Sequence, residues 1–387
     1  MAQDNVTTPA DAAPPSTPCA TRLGAGTPLR PERLAVADWM ALAVSAGVLI
    51  AFRLHAFDLP LETDECNYAY IGARLLAGDR LYVDVWDHQP FGIFALFAAM
   101  IAMFGDAPEV FRGLAMVFSV GSLALLFLIV RRLSTTWIAA CAALTFAVVS
   151  SDPGTAGEGC NREVFMNTFV LAAWWLTLRG GGSIRSLVLG GFLLGIGSTI
   201  KTVLAVHWLA LAVWAIASAS RTESASTTAS NRWRRLFALS AGPAIIWGTS
   251  LMYFAATWRA RDFLDAAFRF NLGYSGSSEG FFARFVRFFS PVQHPFLFDS
   301  AWPLWAWLVP TTAWLLWTWT TRRHRGAAPA LLVLASYVAT CLPGRFWPHY
   351  YYLMIPPAVI AGTLAAGDLA RLARHWIARR NPPPVPA

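Results

Sequence analysis

Long apolar runs recur along this chain from Leu34 to Leu369, with short groups of arginines between them. A helix needs about 20 predominantly apolar residues to cross the hydrocarbon core of a bilayer. Charged residues make up only 13% of the sequence and hydrophobic residues 56%, whereas soluble domains usually carry about 25% charged residues. The pattern predicts an all-α, polytopic membrane protein and argues against an ordinary soluble enzyme.

Ten apolar segments are candidate membrane-spanning helices. They are 36–57, 109–130, 136–151, 163–178, 185–200, 202–220, 236–257, 302–320, 328–342 and 350–367. Several are shorter than about 20 residues, so their ends are approximate. A further apolar run, Phe91 to Phe104, is only about 14 residues long, which suits an interfacial or re-entrant helix better than a crossing.

The arginine clusters orient these segments, because positive charge is retained on the cytoplasmic side. With ten crossings and a cytoplasmic N-terminus, every compact cluster is cytoplasmic: Arg131–Arg132, Arg179–Arg185, Arg221–Arg235, Arg322–Arg325 and Arg371–Arg380. With eleven crossings the clusters after residue 104 would face outward. We therefore predict ten spans and two cytoplasmic termini. The outer segments are then Asp58–Pro108, Ser151–Arg162, the turn at Lys201, Trp258–Ala301 and Pro343–Tyr350.

The composition divides the chain into three regions. Residues 1–33 are rich in Ala, Pro and Thr and lack an apolar run, which predicts a disordered cytoplasmic tail rather than a signal peptide. Residues 34–370 form the membrane domain, and 371–387 form a second cytoplasmic tail. The net charge of +8 lies mostly in the arginine clusters, which fits topology signals and lipid headgroups better than nucleic acid.

The first outer segment carries two groups of polar residues. Thr63 is a candidate N-cap, and Asp64 and Glu65 then occupy a first helical turn, where the helix dipole favours anions. Further on, the turn Asp84–Gly92 contains Asp87, His88 and Gln89 before Pro90, which can start a helix. The alternative to a functional role is a capped surface helix followed by a polar turn.

These segments, in this order, resemble the GT-C type glycosyltransferases that use lipid carriers, in particular glycosyltransferase family 39, which is related to protein O-mannosyltransferases and the lipid A aminoarabinose transferase. Three later segments also match: Glu158–Met166, Gly195–Val203 with Lys201, and Pro343–Tyr351. The resemblance covers roughly residues 36–367. It implies a membrane helical bundle with interfacial helices in the first and fourth outer segments.

The resemblance also implies an activity. It makes the chain an integral-membrane transferase that moves a sugar from a polyprenyl-phosphate carrier to a glycan, glycolipid or protein acceptor. Asp64 would act as general base in a single inverting displacement, with Glu65 as its orienting neighbour. The implied location is the bacterial plasma (inner) membrane, with the active site on the extracytoplasmic side. Membrane lipids and the donor are then its partners, and nucleic acid is not.

The prenyl-phosphate leaving group requires cations or hydrogen-bond donors. Lys201 is the leading candidate because it is the sole lysine of the chain and follows the apolar run 185–200; the alternative is a snorkelling lysine at a helix end. Arg345, His349 and His88 are further candidates for the donor phosphate. His349 has the alternative of a histidine satisfied within an aromatic cluster.

Other polar residues of the outer segments are candidates for binding the sugar or the acceptor: Asp87, Gln89, Glu158, Asn161, Glu163 and Tyr350. For Glu158, Asn161 and Glu163, the alternatives are that they orient Lys201 or cap the span that starts at Glu163. One departure matters, because the related transferases usually carry lysine where this chain has Gln89, which supplies no charge. The five cysteines show no CxxC spacing. Since lysine and arginine can serve a monophosphate leaving group, we predict no obligatory metal and no other obligatory cofactor.

The fourth outer segment places phenylalanines at helical spacing around Arg284 and Arg287. This spacing predicts an interfacial helix whose arginines face headgroup phosphates and which shapes the acceptor or lipid groove, or serves as a plain surface anchor. A disulfide between Cys66 and Cys160 is conceivable, because both lie in outer segments.

Two other functions are compatible with the sequence. A transporter or lipid flippase would place its important polar residues near the bilayer midplane, often in broken helices that repeat along the chain. In this chain the polar residues lie in loops and at the ends of apolar runs. A noncatalytic GT-C-like assembly protein is the other alternative, and Gln89 is the feature that favours it.

Overall fold

The computed structural model of the chain describes residues 34–219, 225–275, 280–289, 308–318, 320 and 326–380. Within these ranges the chain is almost entirely helical, and β-type pairing is confined to an isolated bridge between Leu81 and Val85. The predicted tail at 1–33, the end of the second tail and part of the span predicted at 302–320 lie outside the described residues.

The helices follow one another along the chain in two groups. The first group is α1 Val36–Arg53, α2 Thr63–Leu76, α3 Gly92–Phe104, α4 Pro108–Leu133, α5 Thr136–Val149, α6 Arg162–Arg179, α7 Ile184–Ser198 and α8 Ala205–Ala219. The second group is α9 Ala225–Ala256, α10 Ala260–Leu264, α11 Asn271–Tyr274, α12 Ala283–Arg287, α13 308–318, α14 Ala327–Cys341 and α15 Ile355–Arg380. Short 3₁₀ helices occupy Leu54–Asp58, Pro153–Thr155, Thr202–Leu204 and Pro348–Met354, and a π-helical segment, Asp265–Phe270, joins α10 to α11.

Each predicted span coincides with a helix wherever the structure describes it, but some helix ends differ. The helix α9 begins at Ala225, before the predicted start at residue 236, and α15 continues to Arg380, well past residue 367. The predicted domain boundary at residue 370 therefore falls inside α15. The reason is that the residues beyond the apolar run, such as Leu369, Ala370 and Arg371, are good helix formers.

Several helices have the length and composition of membrane spans. In the described part of the chain, Val36–Asp58, Pro108–Leu133, Ser230–Ala256 and Pro348–Arg374 are long and apolar enough to cross a bilayer. Shorter apolar helices occupy Gly92–Phe104, Thr136–Val149, Ile184–Ser198, Thr202–Ser218 and Ala327–Cys341. The prediction of an all-α, polytopic membrane bundle is confirmed, while the number of ten crossings stays a prediction.

The helices α1 and α4 run in opposite directions, as successive crossings require. At one end, Arg131 in the last turn of α4 donates to Asp38 in the first turn of α1, with 2.9 Å between Nε and Oδ1. At the other end, Arg112 in the first turns of α4 donates to the carbonyl of Pro60, which follows α1, at 2.8 Å. The predicted cytoplasmic arginines and the outer motifs are thus at opposite ends of these helices.

The contact between α7 and α9 depends on glycine. A Cβ added at Gly191 would lie 2.0 Å from the carbonyl oxygen of Leu239, and one added at Gly242 would lie 2.2 Å from the backbone nitrogen of Phe192. Small residues allow helix backbones to approach closely in membranes, where van der Waals packing drives association. This close packing fixes the end of α7, which precedes Lys201.

The helix α3 is the short apolar helix that the sequence left ambiguous. It has 13 residues and is therefore about 20 Å long, less than the roughly 30 Å of the hydrocarbon core. The backbone nitrogen of Gly92 donates to the carbonyl of Thr199 at 2.8 Å, and a Cβ at Gly92 would lie 2.2 Å from Thr199 Oγ1. The start of α3 therefore lies beside the end of α7.

The fourth outer segment corrects one prediction. Arg284 in α12 is 8% exposed and donates to the carbonyls of Leu342 and Ser275, at 2.6 and 2.7 Å. The prediction that Arg284 faces headgroup phosphates is therefore wrong. The physical reason is that the carbonyls at the end of α14 lack partners within that helix, and the guanidinium of Arg284 supplies a donor.

Candidate active site

The two acidic side chains in the first turn of α2 point to different places, Glu65 into the protein interior and Asp64 into a cavity. Glu62 occupies the N-cap position in place of the predicted Thr63, and its backbone nitrogen donates to Glu65 Oε2 at 2.9 Å. Successive residues of a helix point about 100° apart. Glu65 consequently points inward and is fully buried, whereas the side chain of Asp64 is 46% exposed.

Glu65 joins three parts of the chain. Its carboxylate accepts from Arg112 of α4, with 3.1 Å between Nη2 and Oε2, and from the backbone nitrogen of Cys160. A Cβ at Gly159 would lie 2.5 Å from Glu65 Oε1, so the loop needs glycine there. These contacts give Glu65 a structural role beneath the site, and its side chain does not line the cavity that Asp64 enters.

Asp64 lies in a polar cavity of about 610 Å³, which we call the Asp64 cavity. Its carboxylate is 3.7 Å from Arg162 Nη2 and 3.9 Å from His349 Nε2, and it accepts from the hydroxyl of Tyr68 at 3.3 Å. The walls of this cavity also include Glu62, Asp87, His88, Gln89, Asn161, Tyr274, Trp347 and Tyr350. A half-exposed carboxylate held among donors can accept a proton from a bound hydroxyl.

Asp87, His88 and Gln89 form a hydrogen-bonded turn in this wall. The backbone nitrogen of Gln89 donates to Asp87 Oδ1 at 2.8 Å, and the amide of Gln89 lies 2.7 Å from His88 Nε2. Burial lowers the pKa of His88, while Asp87 acts in the opposite direction. His88 Nδ1 lies 3.3 Å from Asp87 Oδ1, so a proton on Nδ1 leaves Nε2 to accept from the Gln89 amide.

Lys201 lines a second cavity of about 520 Å³, which we call the Lys201 cavity. Its ammonium is 2.7 Å from Glu163 Oε1 and 3.4 Å from the centre of the Tyr350 ring. Burial lowers the pKa of Lys201 to about 8, against the raising effect of Glu163. Arg284 is a second cation of this cavity, and in the described part of the chain no carboxylate lies within ion-pair distance of it.

The two cavities share a wall. His88, Gln89, Tyr274 and Tyr350 line both of them. Most of the residues that line the Asp64 cavity are polar, whereas the Lys201 cavity also has many apolar lining residues, among them Val203, Phe268, Leu272 and Phe281. The carboxylate of Asp64 and the ammonium of Lys201 therefore face two adjoining cavities that are separated by these shared side chains.

The structure brings together most of the predicted site residues. Asp64, Asp87, His88, Gln89, Asn161, His349 and Tyr350 line the Asp64 cavity, and Lys201 lies beside it with Glu163. His349, predicted for the donor phosphate, lines the Asp64 cavity rather than the Lys201 cavity.

Glu65, Glu158 and Arg345 line neither cavity. Glu158 is half-buried, and burial raises its pKa. Arg345 is exposed, lies 4.4 Å over the ring of Tyr274 and donates to the Tyr274 carbonyl at 3.1 Å. Arg345 therefore positions a wall residue in the described structure.

Sequence reasoning did not name Tyr68, Arg162 and Tyr274 as site residues, and it placed Arg284 only in a helix that shapes a groove or anchors the surface. Arg162 begins α6, is 2% exposed and lies over the ring of Tyr68. A signal for it was present, since Arg162 directly precedes the predicted span 163–178 and lies within Glu158–Met166, one of the segments that carry the resemblance. Helical spacing drew attention to Arg284 but did not show where its side chain points, and Tyr274 had no comparable signal, because both reach the site through the packing of segments that are distant in the sequence.

The cysteine and metal predictions have different outcomes. Cys66 is an exposed free thiol and Cys160 a buried free thiol, so the conceivable disulfide is absent. Among the described residues no group of three His, Cys, Asp or Glu side chains is placed to hold a metal ion. The metal requirement stays a prediction.

Comparison with known proteins identifies the type of fold. Residues 88–247 match the model of the family described as dolichyl-phosphate-mannose-protein mannosyltransferase. Comparison with the curated proteins found no significant match to the sequence.

Solved structures with the same fold include ArnT from Cupriavidus metallidurans bound to undecaprenyl phosphate, with a TM-score of 0.59, 18% identity, and coverage of 86% of this chain and 61% of that chain. The archaeal oligosaccharyltransferase AglB from Archaeoglobus fulgidus, in complex with an inhibitory peptide and a dolichol-phosphate, gives a TM-score of 0.58, 11% identity, and coverage of 91% and 52%. An apo form of an Archaeoglobus fulgidus oligosaccharyltransferase gives a TM-score of 0.54 and 13% identity, with coverage of 88% of this chain and 52% of that chain.

At these identities the structural similarity establishes the fold. Together with the family match, it confirms the predicted resemblance to GT-C type glycosyltransferases that use lipid-phosphate carriers. This chain spans between 52% and 61% of the length of those three structures.

Replacing Glu65 and replacing Asp64, the two neighbouring carboxylates of α2, should change the stability of the protein by different amounts. Glu65→Ala should lower the free energy of unfolding by about 3–5 kcal/mol, because it leaves Arg112 buried without its partner. Asp64→Asn should change it by about 1 kcal/mol or less, because Asp64 is half-exposed and the guanidinium of Arg162 lies 3.7 Å from it. Thermal unfolding of the two variants in the same detergent measures the difference. Equal destabilisation would contradict the division of roles.

Proposed function

We propose that this chain is an integral-membrane glycosyltransferase that moves a sugar from a polyprenyl-phosphate carrier to an acceptor outside the cytoplasm. The observation that carries the proposal is the shared wall between the Asp64 cavity and the Lys201 cavity. A transferase of this type needs a base and a phosphate site on opposite sides of one anomeric carbon. The two cavities offer such groups at adjoining positions.

Asp64 is the general base of the proposed reaction. The acceptor hydroxyl attacks the anomeric carbon while its proton passes to the Asp64 carboxylate, and the bond between that carbon and the phosphate oxygen breaks. One displacement inverts the anomeric centre and needs no covalent sugar-enzyme intermediate. Tyr68 and Arg162 hold the carboxylate toward the cavity, and Glu65 holds the helix that carries it.

Lys201 and Arg284 balance the charge of the departing prenyl phosphate. Cations placed where charge develops stabilise a leaving group more strongly in a site from which water is excluded. Glu163 already neutralises part of the charge of Lys201, so the arginine adds a cation that the protein itself leaves unpaired in its described part. This pair can supply the charge that Gln89 lacks.

The sugar would occupy the boundary between the two cavities. Gln89 and Tyr350 provide polar atoms at this boundary, and Asp87 and Asn161 provide them in the Asp64 cavity. Asn161 is 1% exposed, and its Oδ1 has no hydrogen-bond partner among the residues that the structure describes. A buried acceptor without a partner is costly, and a sugar hydroxyl is a suitable donor for it.

The location of the site follows from the arginine clusters. We place the cavities on the extracytoplasmic side of a bacterial plasma (inner) membrane, with both termini in the cytoplasm and residues 34–370 as the transferase domain. The acceptor is a glycan, glycolipid or protein. The donor, a polyprenyl-phosphate sugar, matches the carriers named for the structurally similar proteins.

A transporter or flippase is supported less well by the same residues. Its coupling and substrate groups would lie near the middle of the bilayer, whereas Asp64, Arg162 and Lys201 lie at the ends of α2, α6 and α7 or just beyond them. A noncatalytic assembly protein is supported less well because Lys201 and Arg284 provide the positive charge that is missing at Gln89.

Replacement of the base tests the proposal directly. Asp64→Asn should lower transfer from a polyprenyl-phosphate sugar by about a hundredfold or more, because general base catalysis contributes about 10²–10⁴ to rate. Binding of the carrier phosphate should be retained. Single-turnover transfer, followed by mass spectrometry of the lipid-linked sugar, gives the rate.

The matched control is Glu109→Gln, which removes an exposed carboxylate in the first turn of α4. It should keep full activity. Full activity of Asp64→Asn would refute the base assignment, and failure of both variants to bind the carrier would instead indicate a folding defect.

The pKa of Lys201 predicts a pH dependence for donor use. Since this pKa is about 8, Lys201 is cationic below pH 8 and neutral above it. The donor is a phosphodiester whose charge does not change in this range. The value of kcat/KM for the donor should therefore fall as the pH rises through about 8, because that parameter reports the ionisation of the free enzyme.

Lys201→Arg keeps the cation at all these pH values and should remove the fall, at whatever level of activity it retains. An unchanged fall near pH 8 in Lys201→Arg would show that another group is responsible.

A further inference from the structure

Arg259 is a buried cation that has neutral partners in the described structure. It follows α9, is 7% exposed, and donates to Thr257 Oγ1, the Tyr253 hydroxyl and the Leu81 carbonyl, at 3.1, 3.0 and 3.4 Å. The rings of Tyr253 and Phe254 lie 5.3 and 5.2 Å from its guanidinium carbon. A buried charge without a counterion is strongly unfavourable, so this position favours an anion.

The carboxylates nearby already have partners. Asp84 is held by Arg80, with distances of 2.8 and 2.9 Å, and Asp79 is held by Arg74. In the described part of the chain, neither they nor any other carboxylate lies within 4.0 Å of the Arg259 guanidinium. Arg74, Arg80 and Arg259 together carry one more charge than Asp79 and Asp84.

Arg259 lines a separate cavity of about 590 Å³, which we call the Arg259 cavity. Its polar lining residues include Asp79, Arg80, Tyr253 and Arg259. Its apolar lining residues, which we call the apolar side, are Leu75, Leu81, Phe91, Ala95 and Phe254. Among the described residues, it shares no lining residue with the Asp64 cavity or the Lys201 cavity.

The surroundings of Arg259 have the character of a membrane interface. At the end of α9, Met252 and Tyr253 are 64% and 58% exposed, and Trp258 is 94% exposed. Aromatic side chains are enriched at the level of the lipid headgroups, where basic residues attract anionic lipids. An anion that reaches Arg259 from this surface would come from a headgroup.

Burial of an arginine is not sufficient for this inference. Arg53 is also buried and also has neutral partners, but it makes five hydrogen bonds to Ser119, Ser150, Ser151 and Tyr352. It lines none of the three cavities named for Asp64, Lys201 and Arg259. Arg259 differs because it has fewer hydrogen bonds and faces an open cavity.

We propose that the Arg259 cavity binds the phosphate of an anionic membrane phospholipid, with Arg259 and Arg80 as its cationic partners and the start of an acyl chain along the apolar side. The site is independent of the donor site. The excess of one positive charge favours a lipid with net negative charge over a zwitterionic one. A bound lipid would also join the loop that contains Leu81 to the end of α9.

The test uses the full chain purified in a neutral detergent. Phosphatidylglycerol, phosphatidylcholine or inorganic phosphate is titrated, and binding is measured by native mass spectrometry and by the shift in thermal unfolding. Phosphatidylglycerol should bind and raise the unfolding temperature of the wild type. Arg259→Gln should weaken this binding by at least about tenfold, the loss expected for one charge-assisted hydrogen bond.

The matched control is Arg261→Gln, which removes an exposed arginine on the same outer segment that is paired with Asp265. It should bind phosphatidylglycerol like the wild type. If Arg259→Gln does not fold, Ala95→Trp fills the cavity and leaves every arginine in place, and it should abolish the same binding.

Three outcomes would overturn the proposal: unchanged binding in Arg259→Gln, unchanged binding in a folded Ala95→Trp, or equal protection by inorganic phosphate alone. Equal binding of phosphatidylcholine would contradict the preference for a negatively charged lipid. Because the readout is lipid binding, these results do not depend on the transferase activity.

Discussion

The buried ion pair between Lys201 and Glu163 is the interaction on which the site depends. An ammonium that is 8% exposed stays charged near neutral pH because a carboxylate lies 2.7 Å from it. The preceding residue, Arg162, reaches toward Asp64 from the same first turn of α6. Two consecutive residues of one helix therefore connect the cation of one cavity and the carboxylate of the other. Displacement of α6 would disturb both cavities together.

At the start of α2, one acidic residue supports the structure and its neighbour has the proposed chemical role. Glu65 is buried against Arg112 and the backbone of Cys160, and Asp64 faces the cavity. Their separation follows from helical geometry, which directs neighbouring side chains to different sides. The buried and paired carboxylate of Glu65 keeps the helix turn that carries Asp64 in place. A functional side chain needs supporting contacts of this kind to hold its geometry.

The sequence was sufficient for the class of fold and for most of the residues that meet in the cavities. Apolar length and arginine clusters located the helices, because crossing a bilayer requires uninterrupted apolar segments. Helix ends were less predictable, since α15 continues through residues that are helix-forming without being apolar. The inward position of Arg284 could not be predicted, because its partner is a carbonyl at the end of α14, far along the chain. Likewise, helical spacing placed Asp64 and Glu65 in one turn but did not show which of them faces the core.

The structure of the full chain with a nonhydrolysable polyprenyl-phosphonate sugar would test the central arrangement most directly. The proposed reaction predicts the phosphonate in the Lys201 cavity, within hydrogen-bonding distance of the ammonium of Lys201, and the anomeric carbon turned toward the carboxylate of Asp64. A phosphonate bound away from Lys201, or a sugar separated from Asp64 by the wall of His88 and Tyr350, would contradict it.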